Sequence, residues 1–173
     1  MSNYVDVTGH SPPLPYYASG FWQCRLRYKS QDEVLRVARE YKSRGLPLDI
    51  IVIDYFHWSH HGDWKFDPKA FPDPKAMVDE LKKLNVEVMV SIWPTLQPDS
   101  ENFEEMERRG LLLRNARGPN VHHRFYDNPT LVEAKYITHY DATNPEGREF
   151  IWSKVKKNYH DIGIKIWWLG KFS

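Results

Sequence analysis

A single carboxylate, Asp54, stands at the carboxyl end of a strongly apolar run and is followed at once by two aromatic residues. Four β-branched residues at 50–53 precede it, and Tyr55 and Phe56 come next. Such a run is typical of a parallel strand that is buried on both faces, and ligands bind where such strands end. A charge placed there is costly to bury without a partner. We therefore expect Asp54 to contact a polar ligand, although it could also only cap the next loop.

Histidines in the following loop are the other candidates for chemistry: His57, His60 and His61. Their spacing of three and four residues would suit a metal if the segment were helical. The segment follows a strand and contains Gly62, so we expect a solvated loop, and no Cys or Glu completes a ligand set. His122 and His123 are a weaker case of the same kind. We expect no metal.

The elements that position Asp54 alternate between strands and helices. We predict strands at 21–28, 49–56, 86–93 and 164–169. Ser30 and Glu33 form a capping box for a first helix, which ends at Gly45. Asp73 caps a second helix, and residues 101–109 form a short third one. A last helix runs from Asn144 to Gly163. Residues 1–20 are expected to be an extended lead-in, and residues 111–142 an irregular insert of short strands and loops.

This alternation predicts an α/β fold with parallel strands and right-handed crossovers. An open doubly wound sheet and a (β/α) barrel both fit it. A complete eight-stranded barrel needs about 250 residues, so 173 residues with four strands amount to about half of one.

The composition bounds the class of partner. Lys and Arg number 24 against 23 Asp and Glu, so neither nucleic acid nor an anionic membrane is expected as a partner. No apolar run approaches the ~18 residues of a membrane span. The single cysteine, Cys24, excludes an internal disulfide. The polar amino terminus lacks the apolar segment of a signal peptide. The localisation therefore stays open, and the cytoplasm is the default expectation. The sequence contains no Gly-rich phosphate-binding loop of the kind that would indicate a nucleotide enzyme.

Five motifs in order resemble glycoside hydrolase family 31, the family of α-glucosidases and α-xylosidases. They are GFWQCR at 20–25, LPLDIIVIDY at 46–55, FPDPKAM at 71–77, YDATNP at 140–145 and IWWL at 166–169. Each motif alone is weak, but five in register make the resemblance specific, and it extends from about residue 14 to residue 169. The α-xylosidase-like branch is the most similar.

The resemblance implies a (β/α)8 barrel that hydrolyses α-linked glycosides with retention and without a cofactor. Two aspartates ~5–5.5 Å apart would serve as nucleophile and as general acid and base. By position, Asp54 matches the aspartate that hydrogen-bonds sugar hydroxyls in the −1 subsite. Tyr55, Phe56, Trp93 and Trp168 match pocket positions. The choice between xylosides and glucosides stays open.

The sequence departs from the family pattern at Gly170, where the nucleophilic aspartate is expected. Residues 170–173 form a tail that does not follow the family pattern. The general acid would belong to a second half of the barrel. We therefore expect residues 21–169 to form a partial barrel that is inactive alone and associates with itself through uncovered strands. The alternative is a non-catalytic carbohydrate-binding or interaction module.

The remaining candidates are expected to be structural. Trp22 and Trp167 are predicted to point away from the barrel axis and to pack under helices. Trp58 could stack on a leaving-group sugar or pack within its loop. Cys24 is expected to be a small buried apolar residue, and Asp141 to bond the start of the last helix.

Overall fold

The computed structural model describes residues 2–126 and 134–170. Its strands are, in chain order, β1 (Trp22–Arg25), β2 (Ile50–Ile53), β3 (Glu87–Ile92), β4 (Thr95–Leu96), β5 (His123–Tyr126), β6 (Ala134–His139) and β7 (Ile166–Leu169). Its α-helices are α1 (Ser2–Thr8), α2 (Gln31–Ser43), α3 (Pro74–Lys83), α4 (Phe103–Arg108) and α5 (Pro145–Val155). A 3-10 turn spans Tyr16–Ser19, and a π-helical segment, Lys156–His160, directly continues α5.

Four strands form one parallel sheet in the order β1-β2-β3-β7. All three pairings within it are parallel. The predicted parallel α/β architecture is therefore confirmed for the described residues. The sheet's β-α-β order brings the carboxyl ends of its strands to one edge, where Asp54, Trp93 and Gly170 directly follow β2, β3 and β7.

Strand β2 is fully buried, and its two faces meet different layers. Ile51 and Ile53 belong to the main core with the helices, whereas Ile50 and Val52 form a second small cluster with Met89 on the opposite face. Burial on both faces explains why this strand is a continuous β-branched run rather than an alternating one. We call the face that carries Ile50 and Val52 the inner face.

The helix starts follow their sequence signals. Ser30 Oγ accepts a hydrogen bond from the Glu33 amide at 3.2 Å, Asp73 accepts from the Ala76 amide at 2.9 Å, and Asn144 accepts from the Glu146 amide at 2.9 Å. These bonds satisfy amides that a helix leaves unpaired in its first turn. The predicted caps at Ser30 and Asp73 are confirmed, and Asn144 stands where the last helix was predicted to begin, whereas the Glu33 carboxylate accepts from the Lys29 amide at 2.7 Å and does not complete the capping box with Ser30.

The expectation of an extended lead-in over residues 1–20 is wrong in two places. Residues Ser2–Thr8 form α1, and Tyr16–Ser19 form the 3-10 turn. The prediction rested on Gly9 and on the prolines at 12, 13 and 15, which all follow α1 and therefore do not oppose it.

The strands are shorter than predicted, and β2 shows why. It ends at Ile53 instead of residue 56, because the chain turns there and Phe56 adopts a φ of 63°. A left-handed backbone is incompatible with a continuing strand. The predicted third helix also shrinks to Phe103–Arg108.

The predicted insert contributes β5 and β6, which form an antiparallel sheet with β4 in the order β4-β6-β5. Its register places His139 opposite Thr95 and His123 opposite Ile137. The sequence Asp-Asn-Pro at 127–129 also predicts a turn, and this segment lies outside the described residues. Within residues 2–126 and 134–170, no helix has both the length and the hydropathy needed to cross a bilayer.

Candidate functional site

Asp54 occupies the first position of the turn after β2. Its Oδ1 accepts a hydrogen bond from the Tyr55 amide at 2.7 Å, and the residue is half-buried. The carboxylate is thus held by the amide of the next residue, while it stays open to solvent at the carboxyl edge of the sheet. An ionised carboxylate accepts several hydrogen bonds, so this oxygen pair has capacity left for a polar ligand.

An aromatic wall adjoins Asp54. Tyr55 stacks on Trp93, with ring centroids 4.8 Å apart and planes inclined by 26°. Phe56 meets Tyr55 edge to face at 4.5 Å and lies 6.2 Å from Trp93. Three of the predicted pocket residues therefore pack together around the end of β2, as their positions at neighbouring strand ends suggested.

The insert adds one side of this wall. Phe125 of β5 lies 5.6 Å from Trp93 and 6.3 Å from Phe56, as centroid distances. Two cations stand over the Phe56 ring, with Arg27 Cζ at 4.9 Å and Lys135 Nζ at 5.7 Å from its centroid. The sequence analysis did not predict these three residues. No local pattern shows where the antiparallel pairing of the insert and the turn after β1 place their side chains.

Trp168 lies on the inner face, since its register partner on β3 is Ser91, two residues from Met89. Its side chain is 50% exposed. The predicted separation of the two adjacent tryptophans is therefore observed, because Trp167 packs instead against the helix-side core and lies 6.3 Å from the Tyr159 ring.

Trp22 and Cys24 are corrections. Trp22 pairs in register with Ile50 and Cys24 with Val52, so both lie on the inner face, and both are exposed. Gln23 is the residue that faces the helices, where its Oε1 accepts a hydrogen bond from the Tyr41 hydroxyl at 2.7 Å. Partial desolvation by the surrounding protein atoms, together with the charge of Asp54, raises the pKa of the Cys24 thiol although the side chain is exposed, and this disfavours the reactive thiolate.

Gly170 continues the sheet, since its amide donates to the Ile92 carbonyl at 3.0 Å. A Cβ placed on it would lie 3.1 Å from Trp93 Nε1 and 3.3 Å from Trp93 Cδ1. A side chain at position 170 would therefore be in tight contact with the Trp93 indole, which would have to move by a few tenths of an ångström to admit it. Trp93 is itself anchored, because its carbonyl accepts from Trp64 Nε1 at 2.9 Å.

The histidine loop is not solvated as predicted, since His57 and His61 are each only 1% exposed. His57 Nδ1 lies 3.0 Å from the Asp54 carbonyl oxygen, and Nε2 lies 2.9 Å from the Tyr159 hydroxyl. Burial lowers the pKa of His57 to about 4, against a smaller opposing effect of the Asp54 bond. His57 is therefore neutral at neutral pH.

The other histidines are also held by protein groups. His61 Nδ1 lies 3.1 Å from Thr95 Oγ1, His60 Nδ1 lies 3.3 Å from Asp63, and the His123 ring stacks on His139 at 4.9 Å. Among the residues that the structure describes, no three His, Cys, Asp or Glu side chains are grouped as metal ligands. The absence of a bound metal remains a prediction.

Two predicted structural roles can be checked. Trp58 is buried, and its ring lies 4.7 Å from the His57 ring and 6.0 Å from the His61 ring, so packing within its loop is the arrangement observed. Asp141 Oδ1 accepts from the Thr143 amide at 2.9 Å and from its hydroxyl at 2.6 Å, just before Asn144. These bonds lower the pKa of the Asp141 carboxyl.

The fold and the site together define a parallel (β/α) sheet with a carboxylate and an aromatic wall at its carboxyl edge, as in barrel enzymes. The family model described as "Glycosyl hydrolases family 31 TIM-barrel domain" matches residues 11–171. The chain therefore belongs to glycoside hydrolase family 31. The family resemblance and the barrel fold expected from the five motifs are confirmed.

Three comparisons show the extent of the similarity. A family 31 glucosidase of Pseudescherichia vulneris is 48% identical over 96% of this chain and 30% of its own length. Alpha-xylosidase A of Aspergillus niger is 39% identical over 94% of this chain and 21% of its own. The crystal structure of a GH31 alpha-xylosidase from a soil metagenome, complexed with xylose, matches with a TM-score of 0.81 and 52% identity over 94% of this chain and 23% of that chain. The chain thus spans less than a third of the length of these relatives.

The buried His57 predicts a pH-dependent stability. Unfolded histidine binds a proton below about pH 6.5, whereas folded His57 does so only below a pKa of about 4. Its contribution to the free energy of unfolding is therefore complete above about pH 6.5 and falls by up to about 3 kcal/mol as the pH drops toward 4. Urea unfolding at a series of pH values measures this loss.

The matched controls for this prediction are two variants. His57→Asn should flatten the profile relative to the parent protein, and His60→Asn should not, because the His60 side chain is 44% exposed. Direct NMR titration of His57 covers the case in which the first variant does not fold. Parallel profiles for parent and His57→Asn, or a His57 pKa near 6.5, would contradict the prediction.

Proposed function

We propose that this chain carries the sugar-binding part of the −1 subsite of a retaining α-glycosidase, and that it binds the sugar without hydrolysing it. One observation carries the proposal: a half-buried carboxylate, Asp54, stands beside the stacked Tyr55 and Trp93 rings at the carboxyl edge of a family 31 barrel sheet. A carboxylate that accepts from hydroxyls and rings that pack on C–H faces are the groups that a pyranose needs.

Asp54 binds sugar hydroxyls in this proposal and does not attack the anomeric carbon. The resemblance places the nucleophile at position 170, and glycine has no carboxylate to form a glycosyl-enzyme. Trp93 adjoins that position, since a Cβ on Gly170 would lie 3.1 Å from its Nε1. The glycine at position 170 also favours the second candidate, a non-catalytic carbohydrate-binding module, over an active hydrolase.

The substrate class that fits is an α-linked xyloside or glucoside. Relatives are named alpha-xylosidase in Aspergillus niger and Saccharolobus solfataricus, and alpha-glucosidase 2 in Bacillus thermoamyloliquefaciens. Tyr55, Phe56 and Trp168 are the walls that would exclude or admit a hydroxymethyl group. No metal or organic cofactor enters this proposal.

NMR titration with xylose and with glucose tests the binding claim. We expect shifts around Asp54 and Trp93, and at least tenfold weaker binding by Asp54→Asn, since a hydrogen bond to a charged group is worth about 1.5–3 kcal/mol. Asp141→Asn is the control, because its carboxylate bonds Thr143 in a separate turn. The absence of binding by the parent protein, or equal binding by Asp54→Asn, would contradict the proposal.

The same protein preparation tests the claim about hydrolysis. Aryl α-xylosides and α-glucosides should release no product above background. Turnover that survives purification and disappears in Asp54→Asn would show that position 170 is not required and that this chain is an enzyme by itself.

We also propose that this chain associates with a second copy of itself through the outer strands of its parallel sheet. β1 and β7 are the outermost strands of that sheet, and they carry exposed apolar residues: Trp22 at 39%, Trp168 at 50% and Leu169 at 74%. Outer strands of this kind pair readily with another chain. A second copy supplies matching strands and so restores a barrel-like closure.

Size-exclusion chromatography with light scattering over a range of concentrations measures this association. We expect a dimer, with a smaller dimer fraction for Leu169→Lys because a charge on an outer strand opposes pairing. Leu14→Lys is the control, since Leu14 is equally exposed at 72% but lies outside the sheet. A monomer at every concentration would refute the proposal.

A further inference from the structure

A buried hydrogen-bond chain joins two segments that lie 102 residues apart in sequence. It runs from the Tyr159 hydroxyl through the His57 ring to the carbonyl oxygen of Asp54. His57 is 1% exposed and Tyr159 is fully buried. This series of hydrogen bonds, which we call the relay, therefore lies behind the candidate site, on the side away from solvent.

The chemistry of its members allows one order of protons. A carbonyl oxygen only accepts, so His57 Nδ1 must carry the hydrogen that it shares with Asp54. His57 is neutral at neutral pH, because burial lowers its pKa, so Nε2 has a free lone pair. The Tyr159 hydroxyl must then donate to Nε2, and burial, with the charge of Asp63, keeps that hydroxyl protonated by raising its pKa.

The π-helical segment Lys156–His160 brings Tyr159 to this position. The Asp161 amide donates to the Lys156 carbonyl at 2.9 Å, five residues back. The neighbouring Asn158 Nδ2 donates to the Trp64 carbonyl at 3.0 Å, so two successive residues of the segment bond the loop after β2. Such local π-helical turns within helices occur frequently at functional sites.

Aromatic packing fixes the two rings relative to each other. The Phe66 ring lies 5.0 Å from His57 and 5.1 Å from Tyr159, as centroid distances. Neither ring can turn without displacing Phe66, which is itself buried. The relay is therefore a rigid support rather than a surface contact.

Asp54 is held by hydrogen bonds at two groups, its carboxylate and its backbone carbonyl. Its carboxylate accepts from the Tyr55 amide at 2.7 Å, and its carbonyl accepts from His57 at 3.0 Å. Phe56, between them and His57, has a φ of 63°. A left-handed residue costs roughly 1–2 kcal/mol, so this turn needs support from its surroundings, and the His57 bond supplies it.

We propose that His57 and Tyr159 are positioning residues, which fix the orientation of the Asp54 carboxylate through this proton-ordered relay. The functional meaning of the relay rests on the proposed sugar site, whereas its existence does not. Neither residue touches the sugar, so neither is a catalytic residue. A merely structural role would affect stability alone and would leave the local environment of Asp54 unchanged.

NMR on the ¹⁵N- and ¹³C-labelled chain tests the relay directly. At neutral pH, His57 should be the Nδ1–H tautomer, with a proton protected from exchange. Tyr159→Phe removes one hydroxyl and keeps the ring, and we expect it to shift the Asp54 carboxyl-carbon and Tyr55 amide resonances. Tyr41→Phe is the matched control, because it removes a hydroxyl that bonds Gln23 of β1 and takes no part in the relay, and it should shift neither.

A second pair of variants keeps the test decisive if Tyr159→Phe does not fold. His57→Asn retains an N–H donor for the Asp54 carbonyl and should leave the Asp54 resonance close to its parent position, whereas His57→Leu should shift it. Observation of the Nε2–H tautomer, or an unchanged Asp54 resonance in both Tyr159→Phe and His57→Leu, would overturn the relay.

Sugar affinity is the functional arm of the experiment. Loss of one neutral hydrogen bond predicts about two- to tenfold weaker xylose binding by Tyr159→Phe, with no change for Tyr41→Phe. Equal affinity of Tyr159→Phe and the parent protein would overturn the positioning role. If the parent protein binds no sugar, the proposed function fails, and the relay is still decided by the tautomer and the Asp54 resonance.

Discussion

The transition from a strand buried on both faces to an open carboxylate within one residue is the constraint on which the site depends. Ile53 is fully buried in the helix-side core, and the next residue, Asp54, is half-buried and charged. A sharp turn makes this change possible, and the turn is stabilised from behind by His57. Because the supporting ring is neutral and fully bonded, it adds no second charge beside Asp54.

Signals that are local in sequence predicted most of the fold and the positions of several residues of the candidate site. The caps at Ser30 and Asp73, the helix start at Asn144 and the unbroken run in β2 depend on neighbouring residues only, and they were predicted correctly. Asp54 and Trp93 were placed because the carboxyl ends of adjacent parallel strands meet at one edge. The residues that were missed, among them Phe125 and Tyr159, reach the site through pairing or packing across long sequence separations.

The errors at Trp22 and Cys24 have one cause. Alternation along β1 shows that these two residues share a face, but it does not say which face meets the helices. We assigned the apolar set to the helices, whereas the structure places Gln23 there and bonds it to Tyr41. The apolar set lies on the inner face instead, beside Ile50 and Val52. In β1 the apolar residues lie on the exposed face and a polar residue faces the helices, so the polarity of the side chains pointed to the wrong face.

The central claim is the proposal that Asp54 and the adjoining rings form a sugar site, with Gly170 at the position where the family resemblance places the nucleophile. A crystal structure of this chain with xylose tests it most directly. We expect the Asp54 carboxylate to accept hydrogen bonds from sugar hydroxyls, with the ring against Trp93 and no covalent bond to protein. Xylose bound away from Asp54, or no sugar at the carboxyl edge of the sheet in crystals that bind it elsewhere, would contradict the claim.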